Sequence, residues 1–367
     1  MKIAMIGQKG APATFGGVER HVEELSARLA GRGHEVTVYV RPSYTAARGW
    51  WRGVRLEPLP SVPTKHLDAI THSTLCTAAA ALGRFDILHY HSVGPTLLAP
   101  VARLMGRRVV ATVHGQDWLR AKWGLVARLA LKMGAAVAAH APHATIVVSR
   151  DLEACMARMG RKAIVIPNGA PPMTRRPIRA LARLGLEAGK FVLWMGRFTP
   201  EKRVEDLIAA FRVLATEGKL ALAGDTRPAR AYVERLRRIA GDDGRVLFCG
   251  GLYGEEKEEA LTNAAAAVVC SEIEGMPIAA LEAMQAGLCV IGSDIAPLRE
   301  LIEPGKTGLL APARDVAALR RGIEWVLGHA AEARALGAAA QAMVQARYNW
   351  DVIAEQTEKV YEGVLRD

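Results

Sequence analysis

The chain has 367 residues, 50% of them apolar, with 35 glycines and a formal net charge of +11. That length suits two domains better than one core, and the composition excludes a disordered or fibrous protein. Five scattered cysteines (Cys76, Cys155, Cys249, Cys270, Cys289) with no CxxC spacing exclude a disulfide framework and a zinc site, and they point to a reducing cytosol.

"MKIAMIG" turns polar at Gln8 and Lys9, so it reads as a first β-strand and not as a leader. The amphipathic helix "GGVERHVEELSARLAGRG" and the strand "HEVTVYV" follow. Further strands are predicted at 86–91 (DILHYH), 108–114 (RVVATVH) and 144–149 (ATIVVS). Four prolines and a glycine interrupt the pattern at 166–178, which marks a linker. The alternation then restarts: strand FVLWMG, helix VEDLIAAFRVLA, strand KLALAG, helix ARAYVERLRRIAG, strand RVLFCG, a helix, strand AAVVCS, a helix and strand CVIGS. The expected fold is α/β, with two doubly wound parallel sheets, residues 1–170 and 171–348, and a ligand cleft between them. The closing helix, 349–367, is expected to pack back across the hinge. No uninterrupted apolar stretch reaches bilayer length, so the chain is expected to be cytoplasmic, at most peripheral on a membrane.

The charge is unevenly placed. Residues 1–175 hold 23 Lys and Arg against 10 Asp and Glu, whereas residues 176–367 hold 25 against 27. A basic half suggests an anionic partner: a phospholipid surface, a phosphorylated acceptor or nucleic acid. Plain solubility is the competing reading.

"CSEIEGMPIAALEAMQAG" keeps Glu274 and Glu282 eight positions apart around a Gly-Met-Pro-Ile corner. Glu274 falls in a loop at the carboxyl end of a strand. Pro277 fits the first turn of the next helix, and Glu282 lies about five residues into it. Carboxylates there accept hydrogen bonds from sugar hydroxyls, and the backbone from Gly275 to Ile278 can receive an anion. A helix-start acid and a solvated helix face are the competing readings. In "GRFTPEKR", Arg197 and Lys202 are five apart across a tight turn, which suits a diphosphate without a metal; a solvated basic loop is the alternative. Gly16 and Gly17, in the first βα turn, would let backbone N–H groups approach a phosphate. His114, in "TVHGQDW", closes a strand and is as readily a cleft residue as a packed one.

Together these motifs resemble the GT-B glycosyltransferases of family 4, which are retaining and use nucleotide sugars. The resemblance spans essentially the whole chain. "EGMPIAALEAMQAG" matches the E-x7-E motif, "GRFTPEK" the diphosphate loop, the "GG" turn and "VHGQD" the N-domain elements, and "GSDIAPLRELIEPGKTGLL" the usual C-domain ending. It implies that Glu282 binds the ribose hydroxyls of a UDP- or GDP-linked donor and that Glu274 holds a hydroxyl of the donor sugar. Gly275, Met276, Pro277 and Ile278 would touch sugar and phosphate. Arg197 and Lys202 would stabilise the departing diphosphate, helped by Gly16 and Gly17, and His114 would meet the donor sugar and the acceptor side. Attack from the front face would retain configuration, with a donor phosphate oxygen taking the acceptor proton. No D-x-D triplet occurs, so neither a metal nor another cofactor is expected.

Three departures stand out: Met276-Pro277 for the commoner Phe-Gly, Arg203 where glycine often follows the lysine, and no acid after Gly169 in "PNGAP". The basic half suits a glycan or lipid-linked acceptor at an anionic membrane. Segment 119–139 mixes Lys122, Arg128 and Lys132 with Trp123, Leu125, Val126, Leu129 and Met133 as a surface-lying helix would, against the alternative of a helix packed on the sheet. Rival readings are a transferase with a small soluble acceptor, a GT-B epimerase or phosphorylase, a non-catalytic sugar-binding relative, and an NADP oxidoreductase. The last rests on Arg41, without G-x-G-x-x-G. A nucleic-acid-binding protein is disfavoured because no helix-turn-helix, RNP motif or aromatic-interleaved basic run is present.

Overall fold

In the computed structural model of the chain, which describes residues 1–64, 67–120, 123–226 and 229–366, strands and helices alternate as the apolar runs predict. They group into two units, Met1–Asn168 with Trp350–Asp367, and Gly169–Asn349. The division falls inside the proline-rich stretch.

The first unit holds strands β1 (Lys2–Ile6), β2 (Glu35–Val40), β3 (Gly49–Trp51), β4 (Val54–Pro58), β5 (Ile87–His91), β6 (Val109–Val113), β7 (Ala144–Val147) and β8 (Ile164–Val165). Among the described residues they form one eight-stranded sheet in the order β3-β4-β2-β1-β5-β6-β7-β8. Neighbours pair parallel except β3 with β4. Helices α1 (Gly17–Gly31), α2 (Leu67–Leu82), α3 (Val93–Thr96), α4 (Ala99–Leu104), α5 (Leu125–His140) and α6 (Arg150–Arg158) make the crossovers. All five residues of β5 and of β6 are buried, as a parallel sheet covered on both faces requires. One core sets Val22, Leu25 and Leu29 of α1 with Trp350, Ile353 and Tyr361 of the C-terminal helix Trp350–Arg366; the other sets Cys76 and Ala80 of α2 with Tyr90 and Ala99. The chain winds from β1 out to β2, β4 and β3, then returns to lay β5 on the other side of β1. That reversal is a topological switch point, where the crevice at the strands' carboxyl ends receives ligands.

The second unit holds β9 (Phe191–Met195), β10 (Lys219–Ala223), β11 (Val246–Gly250), β12 (Ala266–Val269), β13 (Val290–Ser293) and β14 (Gly308–Ala311). Among the described residues these form a six-stranded, wholly parallel sheet, β11-β10-β9-β12-β13-β14. Its helices are α7 (Val204–Arg212), α8 (Arg230–Ala240), α9 (Gly254–Asn263), α10 (Ile278–Gln285), α11 (Ala296–Arg299), α12 (Val316–Gly328) and α13 (Ala330–Arg347). Trp194, Phe198 and Phe211 anchor its core beneath Leu207 and Ile323. Here the switch point lies between β9 and β12.

The five cysteines are free, and no helix among the described residues is long and apolar enough to cross a membrane.

Candidate functional site

In the second unit, the loops that follow β9 and β12 carry both charged motifs and flank the switch point. They are tied together: the N–H of Glu272 donates to the Glu201 carbonyl at 2.9 Å, and the Cys270 thiol to the Lys202 carbonyl at 3.1 Å. Across the same junction Lys202 Nζ meets Glu274 Oε1 at 2.5 Å, with the two side chains 21% and 10% exposed. Glu282 is buried in α10, and Lys257 Nζ of α9 holds its Oε1 at 2.5 Å. The reading of Glu282 as a solvated helix face is therefore excluded. Each glutamate has one oxygen clamped by a lysine, while its second oxygen has no hydrogen-bond partner among the described residues. Neither second oxygen is a buried orphan, so both can still accept from a hydroxyl.

Pro277 is the N-cap of α10 (φ −74°, ψ 108°), and Ile278, not Pro277, opens the helix. A proline there ends the loop in extended backbone and supplies no N–H. The N–H groups of Gly275, Ile278 and Ala279 donate to no acceptor among the described residues, so they stand as anion donors at the helix start. Met276 is buried. Arg197 is exposed and has no ion-pair partner among the described residues.

Arg203 sits at φ 50°, ψ 40°, in the left-handed region that glycine adopts freely. This is the physical reason a glycine suits the position. The guanidinium is engaged locally: Nη2 and Nε bond both oxygens of Asp206 at 2.8 Å, and Nε lies 3.1 Å from Glu272. The Asp206 hydrogen bond raises its pKa above the ordinary arginine value. Arg203 thus points its charge into its own acids.

In the first unit, Gly16 (φ 104°) caps α1 without any side-chain cap, and Gly17 begins the helix. The backbone there demands glycine, and a Cβ on Gly16 would lie 1.9 Å from Glu19 Oε2, so the carboxylate would have to swing aside. The Glu19 carboxylate folds over this turn and accepts from the Lys9 N–H at 3.2 Å. The chain's own acid therefore sits where a phosphate would approach, and a phosphate there would have to displace it.

His114 closes β6 and joins a cluster with His21, His89 and His91. His91 Nδ1 lies 3.1 Å from His114 Nε2, and His91 Nε2 lies 3.4 Å from Met5 Sδ. A thioether has no proton to give, so His91 donates through Nε2 and accepts from His114 through Nδ1. By this network His114 is protonated on Nε2 and offers Nδ1 as an acceptor. His21 Nδ1 bonds Asn168 Oδ1 at 2.8 Å, and His89 bonds Tyr361 at 2.6 Å and Thr112 at 2.7 Å. Burial lowers all four pKa values: His21 to about 4, His89 to about 3, His91 and His114 well below the usual range. The cluster is neutral at physiological pH. Ring nitrogens of His21, His91 and His114 lie within 4.8 Å of one another, so these three could gather a transition-metal ion. Ser92, directly after His91, sits at φ 73°, ψ 152°, a strained conformation of the kind found at working sites.

The sequence reading missed Lys257, His21 and His91. Lys257 is a lone cation in the acid run "GEEKEE", and His91 continues the alternation "HYH", which are signals too faint to single out. Arg41 is buried against Asp68 at 2.6 Å and so is not offered to a cofactor phosphate. A cavity of about 570 Å³ opens at the opposite end of the second sheet, lined by Gly189, Asn263, Gly287 and Arg334, away from both charged loops.

Two family profiles match the chain. "Glycosyltransferase Family 4" matches residues 15–172 and "Glycosyl transferases group 1" matches residues 182–343. A glycogen synthase of Mycobacterium tuberculosis is 29% identical, covering 100% of this chain and 95% of that protein. A phosphatidyl-myo-inositol mannosyltransferase of Mycolicibacterium smegmatis is 28% identical, covering 99% and 94%. Among solved structures, sucrose-phosphate synthase from Thermosynechococcus elongatus superposes with a TM-score of 0.86 at 26% identity, covering 100% of this chain and 99% of that one. HepE from Anabaena, solved in complex with UDP-glucose, gives 0.82 at 19% identity, covering 99% and 100%.

Proposed function

The chain belongs to the family 4 glycosyltransferases of GT-B fold, and on that premise we propose that it moves a sugar, with retention, from a UDP- or GDP-linked donor to a lipid-linked or cell-envelope glycan acceptor. One observation carries the donor half: among the described residues, Glu274 and Glu282 each have one oxygen held by a lysine and one without a partner, in the unit that also carries N–H groups with no acceptor and Arg197 with no ion pair. In this reading Glu282 accepts from the ribose hydroxyls and Glu274 from a donor-sugar hydroxyl. Gly275, Met276, Pro277 and Ile278 line the sugar and phosphate, and Arg197 and Lys202 receive the diphosphate. To Gly16, Gly17 and His114 we assign the roles that family membership suggests, aiding the diphosphate and contacting the donor sugar.

The anomeric C–O bond to the diphosphate breaks while the acceptor oxygen bonds to the same face of that carbon. The acceptor proton passes to a donor phosphate oxygen. Negative charge grows on the leaving diphosphate, and preorganised cations and N–H groups aimed there contribute several kcal/mol. We read the reaction as independent of metal and cofactor. The UDP-glucose complex of HepE supports a nucleotide sugar, and the mannosyltransferase relative supports a lipid acceptor. The working place would be the cytoplasm, on an anionic membrane face.

A thermal-shift panel with UDP, GDP, ADP and NADPH on wild type and Lys202→Ala tests the reading. One nucleoside diphosphate at a hundred times its dissociation constant should stabilise the wild type by about 2.7 kcal/mol. Lys202→Ala should lose that shift. A shift with NADPH alone, or with none of the four, overturns the proposal.

A further inference from the structure

Helix α5 departs from the expected burial. It docks on α3 through its second half, where Gly134, Ala135, Ala138 and Ala139 are buried, and a Cβ on Gly134 would lie 2.3 Å from the Val93 carbonyl oxygen. Small residues let the helix sit that close. From its start to Met133 it turns large aliphatic side chains outward instead: Leu125 is 75% exposed, Val126 81%, Leu129 53% and Met133 62%. The packed-helix reading of segment 119–139 therefore meets a helix that docks its small residues on α3 and leaves Leu125, Val126, Leu129 and Met133 exposed. Lys122 of that segment lies outside the described residues.

At 3.6 residues per turn, Leu125, Leu129, Met133 and Val126 share one outward arc, and Arg128 and Lys132 fall together along one edge of it. Helix α5 contains no acid. Across residues 87–150 the sequence has eight Lys and Arg against one acid, Asp117. Much of the basic excess of the N-terminal half therefore falls in the stretch of sequence that contains this helix.

We propose that the outward face of α5 seats the protein on an anionic phospholipid surface, its aliphatic side chains in the acyl boundary and Arg128 and Lys132 at the headgroups. This rests on the reading of the acceptor as lipid-linked. Charge complementarity selects the occupant. An amphipathic helix with an aliphatic face and a purely cationic edge matches a negative lipid interface. A second copy of the chain is a poor match, because a two-fold contact would bring cations against cations with no acid in the helix to answer them.

The test is flotation of the full chain with vesicles of phosphatidylcholine plus phosphatidylglycerol, or of phosphatidylcholine alone, at low and high salt. Binding should require phosphatidylglycerol and weaken with salt. Each basic side chain at such a surface contributes about a fivefold factor, so neutralising both in R128Q/K132Q should cut partition roughly twenty-five-fold. V126S/L129S should also release the protein. Both variants should keep the thermal shift with nucleoside diphosphate, and Lys202→Ala should still float. A failed membrane reading is thereby separated from a failed transferase reading. Absence of wild-type flotation at low salt overturns the proposal, as does flotation equal in wild type and both variants. So does light scattering that shows a dimer broken by V126S/L129S.

Discussion

Acidification from about pH 7.5 to about pH 5.5 is expected to weaken the first unit severely while sparing the second. His21, His72 and His89 are held neutral in the fold, with pKa values near 4, 4 and 3, each because burial disfavours the charged ring. His91 and His114 lie well below the usual range for the same reason. In the unfolded chain these rings titrate near 6.5, so below that pH the unfolded state binds protons that the folded state refuses. The sign follows: the histidines' contribution is fully present above about pH 6.5 and is lost as the pH falls toward the folded values. At about pH 5.5 each of His21, His72 and His89, kept neutral, costs a little over about 1 kcal/mol relative to neutral pH. The sum is about 4 kcal/mol for His21, His72 and His89, and His91 and His114 act in the same direction, against a typical total stability of about 5–15 kcal/mol. Glu23 works the other way, since burial raises its pKa and folding then favours its protonated form, but it is one group against five.

The second unit supplies an internal control, because its one histidine in sequence, His329, is exposed. Hydrogen exchange followed by mass spectrometry at both pH values, corrected for the intrinsic pH dependence of exchange, reads the units separately. Peptides from β1 and β5 should lose protection by orders of magnitude, and peptides from β9 and β10 should change little. Equal protection of β1 and β5 at the two pH values would show that the cluster is not held neutral, and the tautomer chain from Met5 to His114 would fall with it.

If Glu282 receives the ribose, the wild type should prefer the stabilising nucleoside diphosphate over its 2′,3′-dideoxy form by roughly tenfold or more. K257M/E282A, which removes both partners so that no buried charge is orphaned, should bind the two forms alike; undiminished discrimination by calorimetry would refute the assignment. At Arg203, Arg203→Gly relieves a left-handed residue worth about 1–2 kcal/mol while losing the Asp206 pair, so its stability should stay within about 1 kcal/mol of wild type. Arg203→Ala keeps the strain and loses the pair, so urea unfolding should find it less stable than Arg203→Gly, and equal losses would sink the strain argument.

Most of both sheets was legible because a parallel strand buried on two faces reads as an unbroken apolar run, as "KIAMI", "VVATV" and "FVLWM" do. The hairpin β3–β4 was not legible. Its turn, Arg52-Gly53, has both residues at positive φ, 46° and 76°, a geometry that Asn-Gly would announce and Arg-Gly conceals. Glu274, Lys202, Arg197 and Glu282 could be found because each lies in or just beyond a loop at a strand's carboxyl end, where sequence spacing and spatial position coincide. Lys257 could not, because its partner Glu282 is 25 residues away and only the tertiary fold brings the two side chains together. His21 escaped for the same reason, as it reaches the cluster through the packing of α1 and not through any local motif.

The pairing of each glutamate with a lysine explains how carboxylates persist in a largely apolar turn. A buried carboxylate alone would be driven toward its protonated form, which accepts hydroxyls poorly. Lys202 and Lys257 give Glu274 and Glu282 the opposite charge that a buried carboxylate needs, yet each occupies a single oxygen. An ammonium has three protons, so Lys202 can hold Glu274 and still donate to a phosphate oxygen without breaking the pair. In the proposed mechanism the acceptor for the sugar and the donor for the phosphate would thus be one preformed unit, and little reorganisation would be needed when charge moves onto the leaving group. Arg203 does not join this unit, because its left-handed backbone and its bond to Asp206 turn its charge elsewhere. In the proposed donor site the cation in the glycine position therefore adds nothing to Lys202 and Arg197, and the diphosphate would be met by those two side chains and by the α10-start N–H groups that have no acceptor among the described residues.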